Sequence, residues 1–128
     1  MINRDIVRSY SGAIYINDIN EAHKVPVKIS GLTSVSKVPM LSILIWDTNN
    51  SAYKVALISD VIDNDTDFVI LMEDINLTSG EFIGNVIAFT KAAFDKNKVK
   101  FLDNTTNTFV FSPSSITSYK HPRFKIVE

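Results

Sequence analysis

The sequence has no cysteine. This absence excludes disulfide bonds, thiolate metal ligands and a cysteine nucleophile. Glycine and proline are also scarce, with four of each among 128 residues. The glycines are isolated, and neither the Walker loop nor the G-x-G-x-x-G pattern of nucleotide-binding proteins is present. The fold must therefore be held by packing and hydrogen bonds.

The chain also lacks an excess of one charge and a long apolar run. Its 13 basic and 14 acidic residues give a net charge of -1, so no overall field would attract nucleic acid or an anionic membrane. Every apolar run is far shorter than the roughly 20 residues of a membrane helix, and residues 1–12 do not have the pattern of a signal peptide. We expect a soluble protein that is used without export, with neither nucleic acid nor membrane as a partner.

The charges are segregated along the chain. Residues 47–81 carry eight acidic side chains and one basic one, whereas residues 91–128 carry seven basic and three acidic ones. Such segregation could steer subunits into register with one another or with a partner. Acidic turns that are simply solvated are an equally good explanation.

The main structural signal is a pair of apolar runs. Residues 68–72 are wholly apolar, and after a Ser79-Gly80 turn signal a second β-rich run covers residues 81–89. These runs predict consecutive antiparallel strands. Because the first run is apolar on both faces, it must be covered on both and should lie at the centre of the core.

The rest of the chain predicts a mostly β, small single-domain fold of the sandwich or barrel-like kind, with one or two very short helices. Good helix formers at residues 90–96 predict one or two helical turns, and a second turn is expected after Ser112. Pro26 cannot donate to a strand ladder, so residues 25–29 are predicted at a sheet edge that could exchange strands between chains. The other predicted elements are strands at 13–16 and 124–127 and hairpins at 40–58 and 99–111.

An acidic loop is the strongest candidate for metal chemistry. Asp63, Asp65 and Asp67 alternate as in the calcium loop of an EF-hand, and Asp74 stands at the position of that loop's last ligand. However, Phe68 replaces the glycine that such a loop needs for its sharp turn, and strands rather than helices flank it. A solvated loop fits better, and we expect no metal and no cofactor.

No pattern in the chain predicts catalysis. His23 and His121 are the two histidines; neither follows a nucleophile motif, and exposed loop positions are expected for both. Trp46 and Tyr53, which face each other across a predicted hairpin, could form a platform for stacking sugars, although an aromatic residue that ends an apolar strand is more often part of a core. We therefore expect that the protein is not an enzyme.

The order of elements resembles the lambda-type head decoration proteins of tailed phages. That family has a strand of the type G-I-L-x-E-D-V-x, to which residues 69–75 (VILMEDI) correspond, then a short turn. A second strand and a short segment follow, corresponding to residues 83–89 and 91–94. Residues 115–127 are similar to the closing short helix and strand of the family. The resemblance covers residues 35–102 and 115–127 and leaves residues 103–111 as an insertion.

The resemblance implies a non-enzymatic virion protein made in the host cytoplasm. Such proteins bind the outside of the expanded capsid as homotrimers at local threefold sites and clamp neighbouring major capsid subunits. It also implies a docking arm, residues 1–12, and a body, residues 13–128. The residues expected to bind the capsid are Ile2, Arg4, Ile6, Val7, Arg8, Tyr10, Ile14, Ile16, Val25 and Val27.

A second hypothesis remains open at this stage. A β-sandwich module of a phage baseplate or fibre that recognises a host glycan would also have this composition, with Trp46 and Tyr53 as its platform. Loss of glycan binding in Trp46→Ala would favour that hypothesis over capsid decoration.

Overall fold

The structure, a computed structural model, describes residues 8–10, 14–16, 22–28, 37–76, 82–117 and 120–127. These residues are mostly strands and form a small single domain, as the sequence predicts. The strands are β1 Arg8–Tyr10, β2 Ile14–Ile16, β3 Ala22–Lys28, β4 Lys37–Val38, β5 Ile43–Asp47, β6 Ala52–Val55, β7 Phe68–Leu71, β8 Ile75–Asn76, β9 Phe82–Phe89, β10 Ala92–Asp95, β11 Lys100–Asp103, β12 Thr108–Phe111 and β13 Phe124–Val127.

Five of these strands close into a barrel in the order β3-β6-β5-β7-β9. Strands β5 and β6 form the predicted antiparallel hairpin, and β7 pairs antiparallel with β9, as the two apolar runs predict. Parallel pairing of β3 with β6, at Val27 and Tyr53, closes the barrel. Closure leaves none of the five strands with a fully free edge, which is how barrels avoid edge-to-edge association.

Strand β7 separates two apolar clusters. All four of its side chains are fully buried. Val69 and Leu71 join the cluster inside the barrel, while Phe68 and Ile70 join a second cluster between the barrel and the outer strands. Successive side chains of a strand point to opposite faces, so the continuous apolar run serves both clusters. The predicted central position of this run is confirmed.

An outer layer covers one side of the barrel. It contains a four-stranded sheet in the order β1-β2-β10-β13 and the hairpin β11-β12. Phe94 of β10 and Phe124 of β13 pack against Phe68 of the barrel, with ring centroids 6.1 and 4.4 Å away. The hairpin, the terminal strand and a 3₁₀ turn at Pro113–Ser115 confirm three predictions.

The predicted helix at residues 90–96 is wrong. The segment Ala92–Asp95 is strand β10, which pairs antiparallel with β2 and parallel with β13. Pairing on both sides satisfies its backbone groups, and the extended conformation buries Phe94 completely. Helix propensity is a weak preference over so short a segment, and tertiary pairing outweighs it.

Residues 25–28 of the predicted edge strand 25–29, and residues 14–16, which the docking prediction also required as an edge strand, do not lie at sheet edges. Strand β3 pairs with β9 along Ala22–Lys28 and with β6 at Val27, and β2 lies between β1 and β10. A register shift between Pro26 and Val27 interrupts the β3-β9 ladder at the proline. Proline is tolerated inside a sheet at such irregularities, so its presence did not require an edge.

Candidate functional site

An open, polar pocket of about 440 Å³ lies where the acidic loop meets the segment before β13. The loop joins β6 to β7 on the barrel, and the segment enters the outer sheet, so the pocket depends on the contact between the two layers. Its lining residues are Tyr53, Asn64, Asp65, Thr66, Asp67, His121, Pro122 and Arg123.

Arg123 is the central residue of this pocket. Its Nη2 donates to Asp67 Oδ1 at 3.0 Å and to the Phe68 carbonyl oxygen at 2.9 Å, and its Nη1 donates to the Thr90 carbonyl oxygen at 2.9 Å. The guanidinium also lies over the Phe124 ring, 5.4 Å from its centroid. Arg123 therefore links the start of β7 and the end of β9 to the outer sheet.

Tyr53 completes the network from the barrel side. Its hydroxyl donates to Asp67 Oδ1 at 2.8 Å, so the same carboxylate oxygen accepts from Tyr53 and Arg123. Burial of the phenol and this hydrogen bond to Asp67 raise the pKa of Tyr53 to about 12. The hydroxyl therefore stays protonated at neutral pH and acts as a donor within the network.

Both ring nitrogens of His121 take part in hydrogen bonds. The backbone N–H of Arg123 donates to Nδ1 at 3.1 Å, and Nε2 lies 2.8 Å from the Thr66 carbonyl oxygen. An acceptor role for Nδ1 places the proton of the neutral ring on Nε2, which donates to Thr66. These bonds hold the ring in place and leave neither nitrogen as a free base.

The histidine prediction is only partly correct. His121 is half-buried, with its ring 4.8 Å from that of Phe68, so it is not an exposed loop residue. His23 is exposed but lies on strand β3, with Nδ1 3.3 Å from Thr90 Oγ1. The two histidines are therefore held by different elements and do not form a pair.

The acidic loop is stabilised by its own hydrogen bonds. Asp63 Oδ1 accepts from the Thr66 hydroxyl and from the backbone N–H of Asp65, both at 2.9 Å. These bonds, that of Thr66 first, hold the pKa of the Asp63 carboxyl below its ordinary value. Asp74 turns to the backbone N–H of Met40 instead, at 2.7 Å. Within the described ranges, no group of three or more histidine and acidic side chains could hold a metal ion.

The two aromatic residues of the β5-β6 hairpin do not form a flat platform. Trp46 and Tyr53 are in register, with ring centroids 5.1 Å apart and planes at 73°. Trp46 is 37% exposed, whereas Tyr53 is only 8% exposed. A sugar could therefore stack on Trp46 alone, at the border of the polar pocket that Tyr53 lines.

The predicted capsid-binding residues fall into three groups. Val25 and Val27 are buried in the barrel interior, 7% and 0% exposed, and this burial removes them from any exposed docking surface. Strands β1 and β2 carry Arg8, Tyr10, Ile14 and Ile16. Outside the described residues lie Ile2, Arg4, Ile6 and Val7.

The network of Tyr53, Asp67 and Arg123 was not predicted as a site. Its only signal in the sequence was the opposite charge of the acidic loop and the C-terminal segment. Part of that segregated charge is paired within the chain, in the contact between Asp67 and Arg123. No pattern of spacing could indicate a pair so distant along the sequence.

The fold and the site define a small, mostly β, single-domain protein. Comparisons with known protein families, with curated proteins and with solved structures find no match to this chain. No helix within the described ranges is long and apolar enough to cross a membrane.

Proposed function

We propose that this chain is a non-enzymatic virion structural protein that decorates the outside of an expanded phage capsid. It binds as a homotrimer at local threefold sites and clamps neighbouring major capsid subunits. The resemblance of residues 69–94 to the head decoration family is the origin of this proposal. Within the described fold those residues include the central strands β7 and β9 and the outer strand β10.

The observation that carries the proposal is the position of β1. This strand pairs with β2 on one side, and no described strand pairs with its other side. Residues 1–7 lead directly into it. An extended partner segment could add to this free edge through main-chain hydrogen bonds, the mode of β-strand addition. Strand β1 belongs to the predicted docking arm, residues 1–12, and carries Arg8 and Tyr10 of the predicted capsid-binding residues.

The bonding within the polar pocket supports a structural role. Arg123, Tyr53 and His121 are each engaged with another part of the same chain. A residue that serves as a general base or a nucleophile needs a group directed at substrate. These three side chains instead stabilise the contact between the barrel and the outer sheet.

Clamping by such a protein would not require strong individual contacts. A trimer presents three copies of the arm and of the β1 edge to the capsid at once. Once the first copy is bound, the others bind intramolecularly, so modest affinities combine into tight attachment.

The experiment that tests the proposal is co-sedimentation with expanded, undecorated capsids of the parent virus. A deletion of residues 1–7 removes the part of the arm that precedes β1 and keeps the residues of every described strand. Circular dichroism checks that the variant is folded. We expect saturable binding by the full chain, weakened by the deletion. Absence of binding by the full chain would contradict the proposal.

Glycan recognition by a phage baseplate or fibre module is the second candidate. The partial exposure of Trp46 favours it, because the indole lies 5.1 Å from the ring of Tyr53, which lines the polar pocket. A sugar stacked on the indole would then extend toward that pocket, which Asp65 also lines. Trp46→Ala and Asp65→Asn would then both abolish binding on a glycan array. Under the capsid proposal, neither substitution affects co-sedimentation.

A further inference from the structure

Within the part of the chain that the structure describes, the hairpin β11-β12 has an unpaired edge. Strand β12 pairs with β11 through Lys100–Phe111, Phe101–Val110, Leu102–Phe109 and Asp103–Thr108. Strand β11 continues to the barrel through bridges at Ser42 and Leu57. Among the described strands none pairs with the opposite side of β12, so the backbone groups on that side face away from the sheet.

This edge lacks three of the usual protections against association: a charged side chain, a proline and a bulge. Proteins protect edge strands with charged side chains, prolines, bulges or very short length. Strand β12 reads Thr-Phe-Val-Phe and pairs in regular register. By contrast, the two edge strands of the four-stranded sheet each contain a basic residue, Arg8 in β1 and Lys125 in β13.

The same strand exposes an aromatic side chain. Phe111 is 58% exposed although it is large and apolar, and Lys100 Nζ lies 6.0 Å from its ring centroid. Thr108 at the other end is also exposed, while Phe109 and Val110 are half-buried. Pairing along β12 would satisfy its backbone groups and cover part of the Phe111 ring.

We propose that the β12 edge is an interface with a second copy of this chain. The two β12 strands pair antiparallel about a twofold axis and join the two hairpins into a sheet of the order β11-β12-β12-β11. Because such an interface is isologous, it closes after two copies and leaves no further β12 edge for polymer growth.

The distribution of charge favours a second copy in the antiparallel direction. Strand β12 contains no charged residue, so pairing with itself brings no like charges together in the strand. Lys100 and Asp103 lie at opposite ends of the neighbouring β11. Antiparallel pairing sets the Lys100 end of each hairpin opposite the Asp103 end of the other, whereas parallel pairing would align like charges. The two β11 strands are three strand spacings, roughly 14 Å, apart, so this preference is weak and is screened by salt.

This interface goes beyond the proposed capsid function and does not depend on it. The β1 edge and residues 1–7 belong to another sheet, so capsid binding and β12 pairing can succeed or fail separately. Pairing at β12 joins two single subunits into a dimer, or two trimers into a hexamer.

The test compares molar masses by size-exclusion chromatography with light scattering, at concentrations up to about 1 mM because an edge contact of this size is weak. Thr108→Lys and Phe111→Lys place a charge on the edge at exposed positions. Asn104→Lys adds the same charge in the turn of the same hairpin and is the matched control. Circular dichroism verifies that each variant is folded.

At the highest concentration we expect the unmodified chain and Asn104→Lys to have twice the molar mass of the two edge variants. Equal masses for all four proteins would overturn the inference. A trimer that is unaffected by the edge lysines would also overturn it while leaving the capsid proposal intact.

Single cysteines provide an independent test because the natural chain has none. In an antiparallel pair related by a twofold axis, the residue on the axis lies opposite its own copy, at a distance that a disulfide can span. We expect either Phe109→Cys or Val110→Cys to form a covalent dimer under mild oxidation, and Asn104→Cys in the turn not to do so. Absence of a covalent dimer at both strand positions would overturn the antiparallel arrangement.

Discussion

Arg123 Nη2 lies 3.0 Å from Asp67 Oδ1 in a salt bridge between residues 56 positions apart in the sequence. The same nitrogen donates to the carbonyl oxygen of Phe68, the first residue of the central strand β7. One side chain thus joins the acidic loop, the barrel and the outer sheet. The stability of the contact between the two layers should therefore depend on Arg123.

Arg123→Ala should lower the free energy of unfolding by about 2 kcal/mol, because two backbone carbonyls lose a charged donor. The ion pair itself contributes little, since the Asp67 side chain is 52% exposed. Arg123→Lys should lower the free energy of unfolding by nearly as much as Arg123→Ala, because an ammonium group lacks the planar fork that reaches both carbonyls. Urea unfolding measures both effects.

Lys125→Ala is the control for the Arg123 variants, since it removes a basic side chain from an exposed position of β13. Its effect should stay within about 0.5 kcal/mol. If Arg123→Ala were as mild as this control, Arg123 would not be the link between the two layers.

Tyr53→Phe should change how stability depends on alkaline pH. The pKa of Tyr53 rises from 10.0 to about 12 in the folded protein, so the folded state holds this proton more tightly than the unfolded state. The resulting stabilisation is complete below pH 10 and is lost as the pH rises toward 12.

Between pH 10 and 12 the unfolding free energy of the natural chain should therefore fall more steeply than that of Tyr53→Phe, by up to about 1.4 kcal/mol per pH unit. Urea unfolding of both proteins at a series of pH values measures the difference. Parallel curves for the two proteins would show that burial and the hydrogen bond to Asp67 do not raise the pKa of Tyr53 in the folded protein.

Phe68→Ala should be among the most destabilising substitutions, with a loss of about 4 kcal/mol. Phe68 is fully buried and stacks on Phe124 with ring centroids 4.4 Å apart. Because the alanine variant is at risk of not folding, Phe68→Leu supplies a measurable case with a smaller loss of about 1–2 kcal/mol.

Phe111→Leu is the control for Phe68→Leu, because it replaces phenylalanine by leucine at an exposed position. It should lower the free energy of unfolding by less than about 0.5 kcal/mol at a concentration where subunits do not associate. Equal losses for the two leucine variants in denaturant unfolding would contradict the central position of Phe68.

Thr66→Val should raise the pKa of Asp63 toward its ordinary value of 3.8. The Thr66 hydroxyl donates to the Asp63 carboxylate and stabilises its charged form. A ¹³C NMR titration of the carboxyl groups measures the pKa. Thr105→Val, in a distant turn, should leave Asp63 unchanged, and an identical Asp63 titration in both variants would rule out the hydrogen bond.

Several elements could be predicted because their signals are local. The apolar run at residues 68–72 required cover on both faces, and side chains of strand β7 contribute to both apolar clusters. The hairpins β5-β6 and β11-β12 followed from turn residues between short β-rich runs. Alternation and turn chemistry act within a few residues, so they are visible in a sequence.

Other elements could not be predicted because their conformation depends on distant partners. The segment Ala92–Asp95 has helix-forming residues, yet β2 and β13 pair with it on either side and make it a strand. Pro26 indicated a sheet edge, yet β3 is one of the five strands that form the closed barrel, and its pairing with β9 is irregular at the proline. In both cases pairing with distant segments outweighed a local preference.

The sequence by itself determined the mostly β character, the central strand and the hairpins, because these depend on side-chain periodicity and on turns. Only the tertiary structure decided barrel closure, which buries Val25 and Val27. It also decided the meeting of Tyr53, Asp67 and Arg123 at one carboxylate and left one side of β12 without a partner among the described strands. These features depend on which distant segments become neighbours, and that choice is made by the packing of the whole chain.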